Sequence, residues 1–199
     1  MEKKDIVLST RVNPNIGELL SEIVKEKKMS TSEIVRDSIF YYLMFFHREE
    51  MKDNPMIIIS KSELAYLLEG SSKKRLEGLA ELTYKNGIIT KDYYAKLLFN
   101  MNSQFQITPR VYMSILNRIV FSKNGQRWFR TFTYQFHFDK LTIGGTHELN
   151  KSFSVFFKYF ISYHFAQFDF EIISERLEEN KIVLVLEKKE KIRREEPKK

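Results

Sequence analysis

Hydrophobic and polar residues follow three successive patterns near the start of the chain. From Ile6 to Val12 apolar and polar side chains alternate, which predicts a strand with one buried face. Asn13-Pro14 predicts the start of a helix, because Asn is a favoured N-cap and Pro suits the first helical position. Apolar residues then recur at helical spacing, and Ser30-Thr31-Ser32-Glu33 is a capping box that opens a second helix. This helix is expected to continue through Met44 to His47 and to end before Asp53-Asn54-Pro55.

This first segment has too little material to form a core alone. One strand and two short helices bury little surface, and a lone strand leaves both of its edges unpaired. We therefore expect a second copy to complete the unit. The two strands would pair antiparallel into a ribbon, and four helices would pack beneath it.

The same residues resemble a known family in their order and spacing. Ser9-Thr10-Arg11-Val12, Asn13-Pro14 and Met29-Ser30-Thr31-Ser32-Glu33 together resemble the ribbon-helix-helix DNA-binding family, which includes the MetJ and Arc repressors. The resemblance covers about the first quarter of the chain. It implies a homodimer whose two-stranded ribbon enters the major groove of double-stranded DNA.

The resemblance also implies which side chains face the bases, namely Val7, Ser9 and Arg11. Arginine can donate two hydrogen bonds to guanine, and serine can bond either type of base. Val7 departs from the polar residue usual in the family, but its side chain can contact a thymine methyl group. An ordinary solvent-facing strand is the alternative interpretation.

Charge is distributed unevenly along the chain. The net charge of +7 favours a polyanionic partner, yet residues 1–50 carry eight basic and nine acidic side chains, a net charge of −1. Because the segment is not basic overall, phosphate contacts are expected to depend on a few local groups, and Lys3 and Lys4 lie beside the ribbon. Further contacts are expected from the free N–H groups of Thr31 and Ser32 in the first turn of the second helix.

A second region, the basic stretch from Tyr93 to Phe138, contains basic residues and no acidic one. Aromatic residues are interleaved with them, which is typical of a site for an anionic ligand or single-stranded nucleic acid. The candidate residues are Arg110, Arg118, Arg127, Trp128 and Arg130. The alternative is that these polar faces happen to be basic and are balanced by an acidic hairpin, Glu171 to Glu179.

Beyond residue 50 the patterns predict an α+β domain with a small antiparallel sheet. The chain as a whole is expected to consist of a DNA-binding domain at residues 1–50, a linker at 51–55, a C-terminal domain at 56–187 and a flexible charged tail at 188–199. Met56 to Ile59 is expected to be a short buried strand or an extended linker that docks.

Residues 60–122 are expected to be mostly helical. Capping signals predict helix starts at Ser60, at Ser71 or Ser72, at Thr90 and at Thr108, with helix ends near Gly70 and at Asn86-Gly87. The following pattern predicts a strand from Trp128 to Phe138, a partner strand at Leu141 to Ile143, a turn at Gly144-Gly145, a helix capped by Asn150, and strands at Phe168 to Glu175 and Ile182 to Leu186.

Several classes of function lack the residues that they need. The chain has no Cys, and His137, Asp139, His147 and His164 do not have metal-ligand spacing, so no metal and no cofactor are expected. Because no P-loop, Gly-x-Ser-x-Gly or His-Glu-x-x-His motif is present, we do not expect an enzyme. The charged start and the lack of an apolar run of about 20 residues predict a cytoplasmic chain without a membrane segment.

Together these features predict a homodimeric transcriptional regulator, a repressor that reads DNA through its ribbon. Its C-terminal domain is expected to sense a small-molecule or protein effector, or to drive higher oligomerisation. The alternative is a plasmid-partition or antitoxin-type protein whose C-terminal domain binds a partner protein. A lined pocket in that domain would favour a sensor, and a flat apolar patch would favour assembly.

Overall fold

Among the described residues, five helices precede a four-stranded sheet, and a sixth helix connects two of its strands. The computed structural model describes residues 7, 9–46, 58–99, 106–122 and 125–189. The chain divides into two compact units, Met1–Glu49 and Glu50–Lys199, called the first and the second unit below. The predicted linker, residues 51–55, lies outside the described residues, as does the predicted tail from residue 190 onward.

The first unit contains two helices whose starts were predicted from their caps. Helix α1 spans Pro14–Lys27, and the Asn13 side chain accepts a hydrogen bond from the Ile16 N–H at 2.9 Å. Helix α2 spans Thr31–Phe45 and begins with the predicted capping box. Between the helices Lys28 adopts a left-handed conformation, with φ of 53°.

Three helices and a π-helical turn precede the sheet in the second unit. They are α3 (Lys61–Leu68), α4 (Lys73–Phe99), α5 (Pro109–Leu116) and the π-helical turn Asn117–Phe121. The predicted caps at Ser60 and Thr108 are confirmed, since each side chain accepts a hydrogen bond from the backbone of the first turn.

The sheet contains the strands β1 (Thr131–His137), β2 (Lys140–Thr146), β3 (Phe170–Leu177) and β4 (Lys181–Lys188). All neighbours are antiparallel and the strand order is β1-β2-β4-β3, which places β1 and β3 at the two edges. Helix α6 (Lys151–Ala166) connects β2 to β3, and Asn150 caps it as predicted. The α+β class and the antiparallel sheet are thus confirmed for the second unit.

The core of the second unit lies between α6 and the sheet. Phenylalanine residues on one side of α6 pack against the aliphatic inner faces of β2 and β4, whose residues Leu141, Ile143, Ile182, Leu184 and Leu186 are fully buried. Helix α4 packs along α6, and α5 packs against α4. Because α6 is covered from two sides, eight of its residues are buried.

Several predicted boundaries were wrong because tertiary contacts overrode local signals. Helix α4 continues through Asn86-Gly87, and no new helix starts at Thr90. Gly87 lies in the interior of this helix. A glycine suits the position because a Cβ there would lie only 3.2 Å from Cε1 of His164. Gly144-Gly145 is not a turn but part of β2, where a Cβ on Gly145 would lie 2.6 Å from the Phe129 ring.

The predicted start of the first strand was also wrong. The strand predicted from Trp128 begins at Thr131, since Phe129 is buried in the core and Arg127 has a left-handed φ of 56°. Similarly, β3 begins at Phe170 because Asp169 has φ of 65° and belongs to a turn. At Met56 to Ile59 only Ile58 and Ile59 are described, and both are exposed and outside any strand.

Candidate nucleic-acid interface

The predicted DNA-reading segment runs directly into α1. Of its residues, Val7 and Ser9 to Val12 are described and Lys3 and Lys4 are not. Val7, Ser9 and Arg11 are all exposed, and the described residues form no strand ladder within the single chain. A strand in this segment would need backbone partners that the described residues of the single chain do not provide.

The first unit leaves much of its apolar surface in solvent. No residue of α1 is buried, and Val12, Ile16 and Leu19 are 51%, 50% and 59% exposed. On α2, Ile39, Tyr41 and Tyr42 are also exposed. An amphipathic helix in a folded protein normally covers its apolar stripe, whereas the described residues of this unit leave Val12, Ile16 and Leu19 about half exposed.

An open groove of about 420 Å³ runs along α2 in the same unit. It is lined by Lys27, Met29, Ile34, Asp37, Ser38, Tyr41, Tyr42 and Phe46. The aromatic side chains form part of its wall, and the Tyr42 and Phe46 rings stack with centroids 6.0 Å apart. The groove adds to the apolar surface that the first unit presents.

The start of α2 has the features of an anion-binding helix N-terminus. The Ser30 hydroxyl accepts from the Glu33 N–H at 3.2 Å, and a Glu33 carboxylate oxygen accepts from the Ser30 N–H at 2.7 Å. These hydrogen bonds from Ser30 lower the pKa of the Glu33 carboxyl group. The N–H groups of Thr31 and Ser32 have no acceptor among the described residues, as expected at an α-helix start.

The basic stretch does not form one cluster on a single element. Arg110 lies on α5 with its guanidinium 4.9 Å from the Phe136 ring centroid, whereas Arg118 lies in the π-helical turn. Arg127 and Arg130 precede β1, and all four arginines are exposed. Trp128 packs against the core, with ring contacts to Phe121, Phe153, Phe156 and Phe160, so its ring is engaged in packing.

The acidic hairpin forms its ion pairs with other cations. Glu171 pairs with Lys189 at 3.0 Å and Glu175 pairs with Lys158 at 2.7 Å, while Glu178 pairs with Arg176 at 2.5 Å. Within the described ranges, no ion pair joins this hairpin to Arg110, Arg118 or Arg130. The predicted balance between these arginines and the acidic hairpin is therefore not seen among the described residues.

Two histidines of the second unit, His147 and His164, are buried, whereas His137 is exposed. His147 bonds to the Ser154 hydroxyl at 2.9 Å, and that hydroxyl donates to the Glu178 carbonyl at 2.7 Å. Burial lowers the pKa of His147. Across the described ranges, no group of three potential metal ligands occurs.

His164 forms a second buried polar pair, which no sequence pattern indicates. Its Nδ1 lies 2.5 Å from the Tyr112 hydroxyl, and both side chains are almost fully buried. Burial lowers the pKa of His164 to about 3 and raises the pKa of Tyr112. No local pattern could have indicated this pair, because its members are 52 residues apart in the sequence.

A cleft of about 330 Å³ opens in the second unit, where the residues after α6 lie near α4 and the segment that precedes α5. It is lined by Lys91, Asp92, Gln106, Ile107, Gln167 and Phe168. Its lining is largely polar and includes one cation and one anion. The cleft therefore lacks the predominantly apolar lining that is typical of small-molecule pockets.

No family model, no curated protein and no solved structure matches this chain. The resemblance to ribbon-helix-helix proteins accordingly depends on the residues of the first unit. Among the described residues, no helix is both long enough and apolar enough to cross a membrane.

Proposed function

We propose that this chain is a homodimeric, sequence-specific DNA-binding protein that represses transcription by occupying its operator. Residues 6–12 of two copies would pair as an antiparallel ribbon in the major groove. Ser9 and Arg11 would contact base edges, and the N–H groups of Thr31 and Ser32 would hold a backbone phosphate.

One observation carries the proposal: an exposed segment leads into two capped helices whose apolar residues are partly exposed. Val12, Ile16 and Leu19 remain about half exposed in the single chain. Covering such a side chain completely contributes up to about 1.5–3 kcal/mol. A second copy would bury this face and would supply the strand that pairs with the extended segment.

The charge of the unit is compatible with groove binding, although the unit is not basic overall. Arg11 is an exposed cation on the segment itself, whereas Glu18 and Glu22 lie on α1. A DNA-reading face can thus be locally positive while helix surfaces elsewhere are acidic. Affinity would depend less on bulk attraction and more on the placement of a few groups.

The test starts by selecting duplexes from a random pool with the full chain. Affinity for the selected duplex and for random DNA is then measured across a salt series. Arg11→Ala is expected to cost about 1–3 kcal/mol on the selected duplex and less on random DNA, because a bidentate base contact is lost. The matched control is Arg36→Ala, which removes an exposed positive charge from α2 of the same unit.

Arg36→Ala should preserve the ratio of specific to non-specific affinity. The proposal fails if no common sequence is enriched from the pool. It also fails if Arg11→Ala leaves the ratio unchanged, because the extended segment would then not be the reader.

A further inference from the structure

The two edge strands of the sheet differ in how they are protected. An exposed strand edge can pair with another chain, and proteins usually block it with charges, proline or a bulge. Strand β3 carries Glu171, Glu175 and Arg176 and has an irregular register between Ile172 and Ser174. Strand β1 has the sequence Thr-Phe-Thr-Tyr-Gln-Phe-His, with none of these features and a regular register along its whole length.

The free edge of β1 carries unpaired backbone groups. Since a two-residue loop joins β1 to β2, His137 and Lys140 form the hydrogen-bonded pair beside the loop. Alternation then directs the N–H and C=O groups of Phe132, Tyr134 and Phe136 away from β2. Within the described ranges, these groups have no backbone partner at the free edge.

The side chains of these three aromatic residues are only half-buried. They lie on the inner face of the sheet, where they pack at the margin of the core. The neighbouring residues Thr131, Thr133, Gln135 and His137 are exposed on the outer face. The edge therefore presents an aromatic row on one face and a polar row without acidic, lysine or arginine side chains on the other.

We propose that β1 pairs antiparallel with β1 of a second copy, joining two sheets across a two-fold axis at Tyr134. The register follows from side-chain parity, because a shift by one residue would set the aromatic row against the polar row. Among the registers that keep the faces matched, a centre at Tyr134 pairs all seven residues of the strand. This surface is separate from the DNA-reading unit, and the inference does not depend on the proposed function.

This register is self-complementary in its side chains. Phe132 pairs with Phe136 of the second copy, and Tyr134 pairs with itself, which gives aromatic cross-strand pairs. Thr133 pairs with Gln135 of the second copy on the polar face. No like charges are opposed along the seven pairs. A second β1 strand can therefore pair with the free backbone groups of this edge while matching its aromatic and polar rows.

The ends of the strand have complementary charges. Arg130 precedes β1 and Asp139 follows it, and both are exposed. Antiparallel pairing brings the Arg130 end of one copy to the Asp139 end of the other. The same contact would involve Phe138 at the hairpin tip, which is 86% exposed in the single chain.

The absence of native cysteine allows a direct test of the register in the full chain. In the proposed pairing, Thr133 lies opposite Gln135 of the second copy in a non-hydrogen-bonded pair, with Cα atoms about 4.5 Å apart. That spacing permits a disulfide, whereas residue 133 and its own symmetry mate are diagonal neighbours about 7–8 Å apart. Thr133→Cys and Gln135→Cys should therefore cross-link with each other but not with themselves.

An equimolar mixture of Thr133→Cys and Gln135→Cys is expected to form covalent dimers under mild oxidation at micromolar concentration. The rate should exceed that of either variant alone by at least about tenfold, because pairing makes the reaction effectively intramolecular. The matched control is Thr133→Cys mixed with Ser174→Cys, which lies exposed on the other edge strand. Thermal unfolding of each variant verifies that the fold is retained.

Equal cross-linking in the mixture and in the Ser174→Cys control would overturn the proposal. Rapid cross-linking of Thr133→Cys with itself would overturn the register. Hydrogen exchange provides an independent measurement, since the amides of Phe132, Tyr134 and Phe136 should become more protected as protein concentration rises. Concentration-independent exchange at these amides would also contradict the pairing.

Discussion

Two adjacent glycines in β2 allow a sharp test of how the core determines the strand. A Cβ on Gly145 would lie 2.6 Å from Cδ1 and 2.8 Å from Cε1 of the Phe129 ring, which is buried. A Cβ on Gly144 would meet only the Thr133 hydroxyl, at 3.3 Å. The same substitution to alanine therefore enters the packed core at one position and the exposed face at the other.

The expected magnitudes follow from these contacts. Gly145→Ala forces the Phe129 ring or the strand to move, and overpacking of this kind typically costs about 1–3 kcal/mol. Gly144→Ala meets a hydroxyl at the end of an exposed side chain. Its cost is offset by the smaller entropy of the unfolded chain, a gain of about 0.4–1 kcal/mol. We expect Gly144→Ala to change the free energy of unfolding by no more than about 0.5 kcal/mol, which is typical of surface substitutions.

Denaturant unfolding of both variants, followed by circular dichroism, measures the difference. For a chain of this size, Gly145→Ala should lower Tm by about 2–12 °C. Phe129→Leu shortens the opposing side chain, so the double variant Phe129→Leu/Gly145→Ala should be less destabilised than the sum of its single changes. The reasoning fails if Gly144→Ala is as destabilising as Gly145→Ala, or if the double variant is strictly additive.

Two further predictions concern buried polar groups of the second unit. Unfolding lets His164 and His147 take up protons that their lowered pKa values prevent in the folded state, so the free energy of unfolding should fall as the pH is lowered below 6.5. For His164, whose folded pKa is about 3, the slope should approach about 1.4 kcal/mol per pH unit towards pH 4.5, and His164→Gln should reduce it in urea titrations at several pH values. Asn150→Ala removes the cap bond from the Phe153 N–H at 3.2 Å and the bond to the Ala65 carbonyl at 2.7 Å, so calorimetry should show a loss of about 1–2 kcal/mol.

Local signals predicted the helix starts because their chemistry lies within one turn. Asn13, Ser30, Ser60, Thr108 and Asn150 each cap a helix through a backbone N–H within three residues. A short window of sequence contains both signals, the type of the capping residue and the spacing of the apolar residues that follow it. These helices therefore begin where the sequence indicates.

The predictions for two glycines were wrong because the contacts that require glycine there are not local in sequence. Gly87 and Gly145 were assigned to a helix end and a turn, since glycine favours both. In the structure they are sites of close approach, to His164 and to Phe129 respectively. A contact between residues far apart in sequence determines the choice of glycine, and no window of neighbouring residues contains that information.

The candidate surfaces were predictable to different extents. Every described residue of the first segment is exposed, Thr10 and Val12 as well as Ser9 and Arg11, so the predicted buried face of that segment stays a prediction. By contrast, the alternation from Thr131 to His137 predicted a strand but not its place at the edge of the sheet. Strand order depends on how α6 carries the chain from β2 to β3, and composition alone does not determine that path.

The two proposed surfaces together restrict the assemblies that this chain can form. Each is isologous and has its own two-fold axis: one relates the first units and the other relates the β1 strands. If both join the same two chains, the assembly closes as a dimer with a single DNA-reading ribbon. If they join different chains, each chain connects two neighbours, and the smallest closed assembly is a tetramer with two ribbons.

The mass of the cross-linked full chain distinguishes these outcomes. A closed dimer keeps its native mass when Thr133→Cys and Gln135→Cys become covalently joined, and it binds one duplex. In a tetramer the covalent dimer is half of the native mass, and a change that breaks the first-unit interface should leave that covalent dimer intact. Only the tetramer could hold two operators at once, so titration of a short selected duplex should saturate at two duplexes per four chains in one particle.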